Sequence, residues 1–501
     1  MKKKLVVTMI ALFILAFSFV TLPKKANAIP AFAQKYHFSC AVCHTVFPNL
    51  NPFGRAFWRN GFRLPGTNGT PSDATQITEG LSLPNPWPIP VMVEPIISYQ
   101  HYTNENVSPA TDAFSASVDI VDAGAFKLYT PLADSLSFYV HYGINAGSDK
   151  GVNGNKVITG SETQIFASIN GLGSGFGAPS HLFNLKLGQV TTASPYFYRQ
   201  APFYIIGGPV QNGQALNVGY DGEAGNLIHA RNAGFALYGT PGYHLWYKVT
   251  VTNDAGSPNN LNDTQAYNAE ASPVFVVSKG VPVTTAVSNA MEYSYQLKEY
   301  YPVPVGQLEF GYYGATVAEP ISTDDINGGT GAWTNRVTIN GVDVDLANDI
   351  YELGLTYMVQ SDNHPYGNPA ISSTPVLLDN STVGNTNSSN GYSTFEVYGR
   401  YLLPQIGNGL MLSADYAQYS WTHKNLQEGW INSNPTSCEN ANLYQSGTYT
   451  STNGCTNEGI KDAFAINVEY NLAYNAHLYL GYLLTNKSED NTIGTGLDFA
   501  F

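Results

Sequence analysis

Residues 91–501 fall into segments of about ten to fourteen residues whose apolar side chains alternate, separated by turn-rich gaps. A period of two sends successive side chains to opposite faces of a strand. The pattern is clearest in the last two thirds of the chain. In 392–403, Phe395, Val397 and Tyr401 share one face, and Glu396, Tyr398 and Arg400 share the other. In 410–421, Leu410, Leu412, Ala414 and Tyr416 alternate with Met411, Ser413 and Asp415. Segments 463–473 and 476–486 flank a tight turn at Tyr474 and Asn475, and 492–501 sets Ile493, Leu497, Phe499 and Phe501 on one face. The same reading carried upstream predicts about sixteen strands, the first over 91–102, an even number as closed bacterial barrels require.

The connections alternate in length. Short ones fall near 130–133, 240–242, 300–304 and 347–349, and long ones near 191–227, 253–285, 361–391 and 422–460. Transmembrane barrels keep short turns on the periplasmic side and long loops outside, so both termini are expected in the periplasm. A soluble two-sheet protein would share the alternation within strands, but not the alternation of loop lengths or the aromatic terminus at Phe501. Composition agrees with a barrel. Only 12% of residues are charged, against roughly a quarter in soluble domains, and the chain holds 34 Tyr, 24 Phe and 48 Gly.

The first 28 residues read as an export signal: Lys2, Lys3 and Lys4, an apolar core over 5–22, and a cleavage site at Ala26-Asn27-Ala28. The apolar core is near the length of a membrane anchor, but the Ala-x-Ala ending favours cleavage. Loss of its five lysines takes the formal net charge from -14 to -19. Residues 29–70 nevertheless contain Lys35, Arg55, Arg59 and Arg63 and no acid, so a cationic head precedes an acidic body. The expected domains are a removed signal (1–28), a head (29–90) and a barrel (91–501).

Cys40-Ala41-Val42-Cys43-His44 lies just behind the signal. Cys-x-x-Cys-His is the minimal attachment site of a c-type haem: two thiols form thioethers and the adjacent imidazole becomes the proximal iron ligand. A zinc site would need a second ligand pair, and Cys438 and Cys455 are far away without a His between them. A thioredoxin-like pair would need a βαβ context. One covalent haem is therefore expected on Cys40, Cys43 and His44. Met92 is the candidate distal ligand, because alternation turns it inward beside Glu94. Cys438 and Cys455, in an exported loop, are expected to form a disulfide worth roughly 3 kcal/mol.

Around the pentad, Phe32, Tyr36, Phe38, Phe47, Phe53, Phe57, Trp58 and Phe62 could shield a porphyrin or form a small aromatic core. Arg55, Arg59 and Arg63 recur every four residues, so a helix would line them on one face, toward haem propionates or toward an acidic lumen. The expected lumen carboxylates are Glu94, Glu309, Glu352, Glu396, Asp415, Glu469 and Asp498. Such a field attracts cations or receives the basic head.

The run from Pro30-Ala31-Phe32-Ala33 through Cys40-Ala41-Val42-Cys43-His44-Thr45-Val46-Phe47-Pro48-Asn49-Leu50-Asn51-Pro52-Phe53-Gly54-Arg55 to Asn60-Gly61-Phe62 resembles the fused outer-membrane monohaem cytochrome-porins of iron-oxidising bacteria. The specific identity covers about thirty-five residues, and the barrel matches in architecture. The resemblance implies an all-β transmembrane barrel with a small cytochrome head at or in the periplasmic side of the lumen. It also implies an iron:cytochrome c oxidoreductase activity, with Fe(II) as donor at the cell surface, a periplasmic cytochrome or other soluble carrier as acceptor, outer-membrane lipid as surroundings and no nucleic-acid partner. It supplies no distal-ligand motif and no iron site in the loops. Three other expectations compete: a transport porin with a tethered haem plug or sensor, a conduit for an electrode, mineral or reduced sulfur compound, and a peroxidase.

Overall fold

The computed structural model describes residues 38–46, 49–64, 75–78, 81–83, 92–102, 113–128, 132–150, 156–191, 193, 231–242, 244–253, 291–322, 332–362, 390–421, 462–473, 476–485 and 492–499. The N-terminal part comprises a 3-10 turn at Cys40–Val42, β1 (His44–Val46), β2 (Asn49–Leu50) and helix α1 (Pro52–Arg59). Two short strands follow, β3 (Thr75–Thr78) and β4 (Leu81–Leu83).

Among the described residues, sixteen longer strands then build the wall. They are β5 (Met92–Tyr102), β6 (Ala113–Leu128), β7 (Ser135–Lys150), β8 (Lys156–Asn170), β9 (Asn184–Thr191), β10 (Arg231–Gly239), β11 (Leu245–Asn253) and β12 (Met291–Val303). The second half is β13 (Gly306–Ser322), β14 (Ala332–Ala347), β15 (Tyr351–Asp362), β16 (Asn390–Leu403), β17 (Leu410–Trp421), β18 (Asp462–Ala473), β19 (Ala476–Thr485) and β20 (Thr492–Phe499). Each pairs antiparallel with the next, and β20 returns to β5 with Thr492 opposite Tyr102 and Asp498 opposite Ile96, so the sheet closes. Closure removes the unpaired edges that lipid cannot satisfy.

The wall is apolar outside and polar inside. Phe310, Tyr312, Val342, Leu353, Leu355, Tyr357, Val397, Tyr401 and Leu412 are exposed on the outer face. Their sequence neighbours Glu309, Asp343, Glu352, Glu396 and Met411 are buried inside. This inversion of a soluble core is the surface of a transmembrane β-barrel. No helix among the described residues is long and apolar enough to cross a membrane.

Strand 410–421 falls where alternation puts it, and the outer strands 91–102 and 492–501 become Met92–Tyr102 and Thr492–Phe499. The turn expected at 300–304 contracts to Pro304 and Val305, because β12 runs on to Val303. Connections at this end, 240–244, 304–305, 348–350 and 404–409, are short, whereas 192–230, 254–290, 363–389 and 422–461 join strands at the opposite end. The hairpin β3–β4 lies within the expected head, yet it pairs into the wall sheet, with Leu81 opposite Leu128 and Ser82 opposite Lys127. Part of the 29–90 segment is thus joined to the barrel itself.

Candidate functional site

Helix α1 starts at Pro52, whose fixed φ and missing N–H suit a first helical position. Asn51 caps it, its Oδ1 accepting from Gly54 N–H at 2.9 Å. The helix ends where Gly61 (φ +67°) and Phe62 (φ +63°) turn left-handed, with Gly61 N–H donating to the Trp58 carbonyl and Phe62 N–H to that of Phe57. Gly61 is required by space as well as angle: a Cβ there would lie 2.5 Å from Asn170 Oδ1 and 2.7 Å from Tyr238 Oη.

The basic face of α1 docks against the inner wall at the short-turn end. Arg55 Nη1 reaches Asp345 at 2.9 Å and its Nη2 reaches Glu352 at 2.5 Å. Arg59 makes a two-point pair with Glu309, at 2.6 and 2.8 Å. Arg63 donates to the Ser180 carbonyl at 3.1 Å and to Asn184 Oδ1 at 2.8 Å. Of the two directions open to these arginines, their guanidinium groups take the one toward the wall. The four-residue spacing aligns Arg55 and Arg59 on α1, and wall carboxylates near the turns at 304–305 and 348–350 receive them; the expected helical face does not extend to Arg63, which follows the left-handed Gly61 and Phe62 beyond the helix end at Arg59. Burial opposes the charge on Arg55, but the carboxylates of Glu352 and Asp345 outweigh it and raise its pKa well above the ordinary guanidinium value. Glu352 also takes Arg400 of the wall.

The other face of the insert is aromatic. Phe57 and Phe62 form a core with Tyr139 and Phe166 of the wall, against which Trp58 and Leu64 pack. Phe62 stacks on Tyr139 (6.0 Å, 18°) and on Phe166 (6.4 Å, 9°), while Trp58 meets Tyr139 edge-on at 5.1 Å. Lys186 Nζ sits 4.0 Å from the Phe166 ring centroid and 5.8 Å from that of Trp58. These rings fasten the insert to β7 and β8. Nearer the pentad, Phe38 and Phe53 meet edge-on at 6.2 Å. Phe32, Tyr36 and Phe47 lie outside the described residues.

The Cys-x-x-Cys-His segment is held by this insert. Cys40 opens the 3-10 turn, Cys43 is a half-buried thiol, and His44, also half-buried, begins β1 and pairs with Leu50 of β2. Asn51 Nδ2 donates to the carbonyls of Ala41 (3.3 Å) and Val42 (3.0 Å), and Asn51 N–H donates to that of Cys43 (2.9 Å). The Leu50 carbonyl accepts from Arg55 Nε and from Arg400 Nη2, each at 3.4 Å. A Cβ on Gly54 would lie 2.2 Å from the Cys43 carbonyl oxygen, so only glycine lets α1 approach this closely. The residues present fit a c-type haem: thiol and imidazole are adjacent on one anchored turn, and the buried Thr45 Oγ1 beside them has no hydrogen-bond partner among the described residues.

Met92 opens β5, and its side chain, like that of Glu94, lies outside the described residues. So do Cys438, Cys455 and residues 1–28. The other six expected lumen carboxylates, Glu309, Glu352, Glu396, Asp415, Glu469 and Asp498, are buried. The lumen is less one-sided than expected. Glu292, Asp343 and Asp345 join the acids, but Lys298 contacts both Glu309 (3.3 Å) and Asp343, and Arg400 is buried beside Glu352. His477 lies 3.2 Å from Glu469. The same alternation places Lys298 and Arg400 inward, so the signal for this basic complement was present in the strands. Among the described residues no cluster of three or more His, Cys, Asp or Glu side chains could hold a metal ion.

No protein-family model and no curated protein matches the chain. Among solved structures, OmpF of Salmonella typhi in complex with daunomycin is similar at 11% identity and a TM-score of 0.47, over 82% of this chain and 97% of that one. OprB of Pseudomonas putida gives 10% and 0.48 over 84% and 94%. An anion-selective porin from Comamonas acidovorans gives 9% and 0.46 over 82% and 99%. The sixteen-strand circuit stands on this chain's own pairing.

Proposed function

We propose that this chain is a plugged outer-membrane barrel whose insert carries one covalent c-type haem and passes single electrons across the membrane, taking them from dissolved Fe(II) at the outer face. The observation that carries the reading is the anchoring of Cys40–His44 to a helix held inside the lumen. The short-turn end faces the periplasm, so the pentad lies where a periplasmic cytochrome or other soluble carrier can collect electrons. When bound, the haem supplies a one-electron couple, which matches Fe(II) going to Fe(III) with one electron released.

The chain's own residues have separable tasks. Cys40 and Cys43 supply the thioether sulfurs, and His44 supplies the imidazole. Asn51, Leu50 and Gly54 hold that turn on α1. Arg55, Arg59, Trp58 and Phe62 fix α1 across the lumen, which hinders free passage of solute.

The test is anaerobic stopped-flow absorbance of the ferric protein mixed with Fe(II), at acidic and near-neutral pH. Rapid, saturable growth of the haem α band is expected. No reduction by Fe(II), with normal reduction by dithionite, would overturn the iron reading.

A second reading is a porin whose haem-bearing insert acts as plug or sensor. It is favoured by the closed barrel and by the fact that α1 docks through side chains rather than through the sheet. It predicts solute conductance that changes with haem redox state in planar bilayers.

A further inference from the structure

Asn51 stands at the junction of the pentad and the helix, and three of its polar groups are divided between them. Its side-chain oxygen accepts from Gly54 N–H at the start of α1. Its side-chain amide faces the opposite way and donates to Ala41 and Val42, the two residues between the cysteines. Its backbone N–H donates to the carbonyl of Cys43, the residue before the imidazole. Helix capping needs only the oxygen, and Ser would serve as well. The amide has no role in capping.

We propose that Asn51 is a positioning residue for haem: with Gly54, it clamps the Cys40–His44 turn onto α1 and thereby fixes the orientation in which His44 meets the iron. This rests on the haem reading above. The geometry gives the clamp its force. Two carbonyls of a tight turn are gripped by one planar amide, so the turn cannot rotate about its own axis without losing both bonds. The Gly54–Cys43 approach removes the remaining slack. On the far side, the Leu50 carbonyl, one residue before Asn51, is gripped by Arg55 and by Arg400 of the wall. The imidazole of His44 is therefore referenced to the barrel through Leu50 and to the helix through Asn51.

The experiment uses the full-length protein with haem attached. Asn51→Ser keeps an oxygen to cap α1 but is too short to reach Ala41 and Val42; Asn51→Ala removes both functions; Gly54→Ala pushes the turn off the helix by contact. Covalent haem is first scored in the wild type by in-gel staining, and the ferric electron paramagnetic resonance spectrum and midpoint potential are then compared. We expect Asn51→Ser and Gly54→Ala to keep covalent haem, yet both to broaden the ferric signal and shift the potential in the same direction. Spectra and potential of Asn51→Ser that superimpose on wild type would overturn the clamp and leave Asn51 a helix cap. A wild type without covalent haem would overturn the haem reading itself, a failure visible before any variant is examined.

Discussion

Arg59 and Glu309 form a two-point ion pair, 2.6 and 2.8 Å, buried between the inserted helix and the barrel wall. Glu309 also receives Lys298 at 3.3 Å, so one carboxylate serves two cations from different elements. Removing it would leave both without that partner in a place water scarcely reaches. Loss of one partner of a buried pair costs about 3–5 kcal/mol. We predict that Glu309→Ala loosens the plug and raises single-channel conductance in planar bilayers well above the wild-type level. Unchanged conductance would mean that the aromatic face alone holds the insert.

Salt should not mimic that mutation. Exposed charges are screened beyond about 3 Å at 1 M ionic strength, but buried pairs are screened far less. Arg55, Arg59, Asp345, Glu352 and Glu309 are all buried. Conductance, scaled to the conductivity of the bath, is therefore expected to stay constant from 0.1 to 1 M salt. A disproportionate rise would place the latch in solvent and contradict its burial.

The aromatic face makes a separate prediction. Phe62 is held at φ +63°, unusual for a residue with a side chain, and its ring packs against both Tyr139 and Phe166, which also stack on each other. The stacking offsets the backbone cost, since burying a ring of this size outweighs a left-handed conformation. Phe62→Ala keeps the backbone cost and loses the packing, at about 3–5 kcal/mol. Faster proteolysis after Arg59 and Arg63 is the expected readout, with the barrel's heat-modifiable gel mobility unchanged. Protection equal to wild type would show that Phe62 is not an anchor.

The wall was legible from sequence because a strand's period is local. Leu412 and Asp415 lie on opposite faces whatever the rest of the chain does, so parity alone predicted which of them is buried. The spacing of Arg55 and Arg59 was equally legible, since i and i+4 share a helix face, but Arg63 lies beyond the helix end at Arg59. The partners were not legible. Glu309 and Asp345 lie 250 and 290 residues from the arginines they meet, and only barrel closure and the depth of the insert decide that pairing. Lys298 was overlooked for a related reason: parity turns it inward, but its pairing with Asp343 depends on two strands that are not adjacent in sequence. The role of Asn51 was hidden because Asn before Pro reads as an ordinary helix start. Only the fold-back of the pentad gives its amide two carbonyls to grip.

Glu352 provides the sharpest test of how the plug is locked, because Arg55 of the helix and Arg400 of the wall both pair with it. Glu352→Ala strands two guanidinium groups, and Arg55 retains only Asp345 among the carboxylates that hold it here. A loss of about 3 kcal/mol corresponds to roughly a hundredfold in an opening equilibrium. Amide hydrogen exchange in α1 is therefore expected to accelerate by about that factor, while exchange in β13 and β14 stays slow. Replacing Glu352 and Arg400 together by Leu removes one stranded charge and fills the space, so exchange in α1 should return part of the way toward wild type. If the double variant were as fast as Glu352→Ala, the Arg55–Glu352 contact alone would account for the lock and Arg400 would be a bystander.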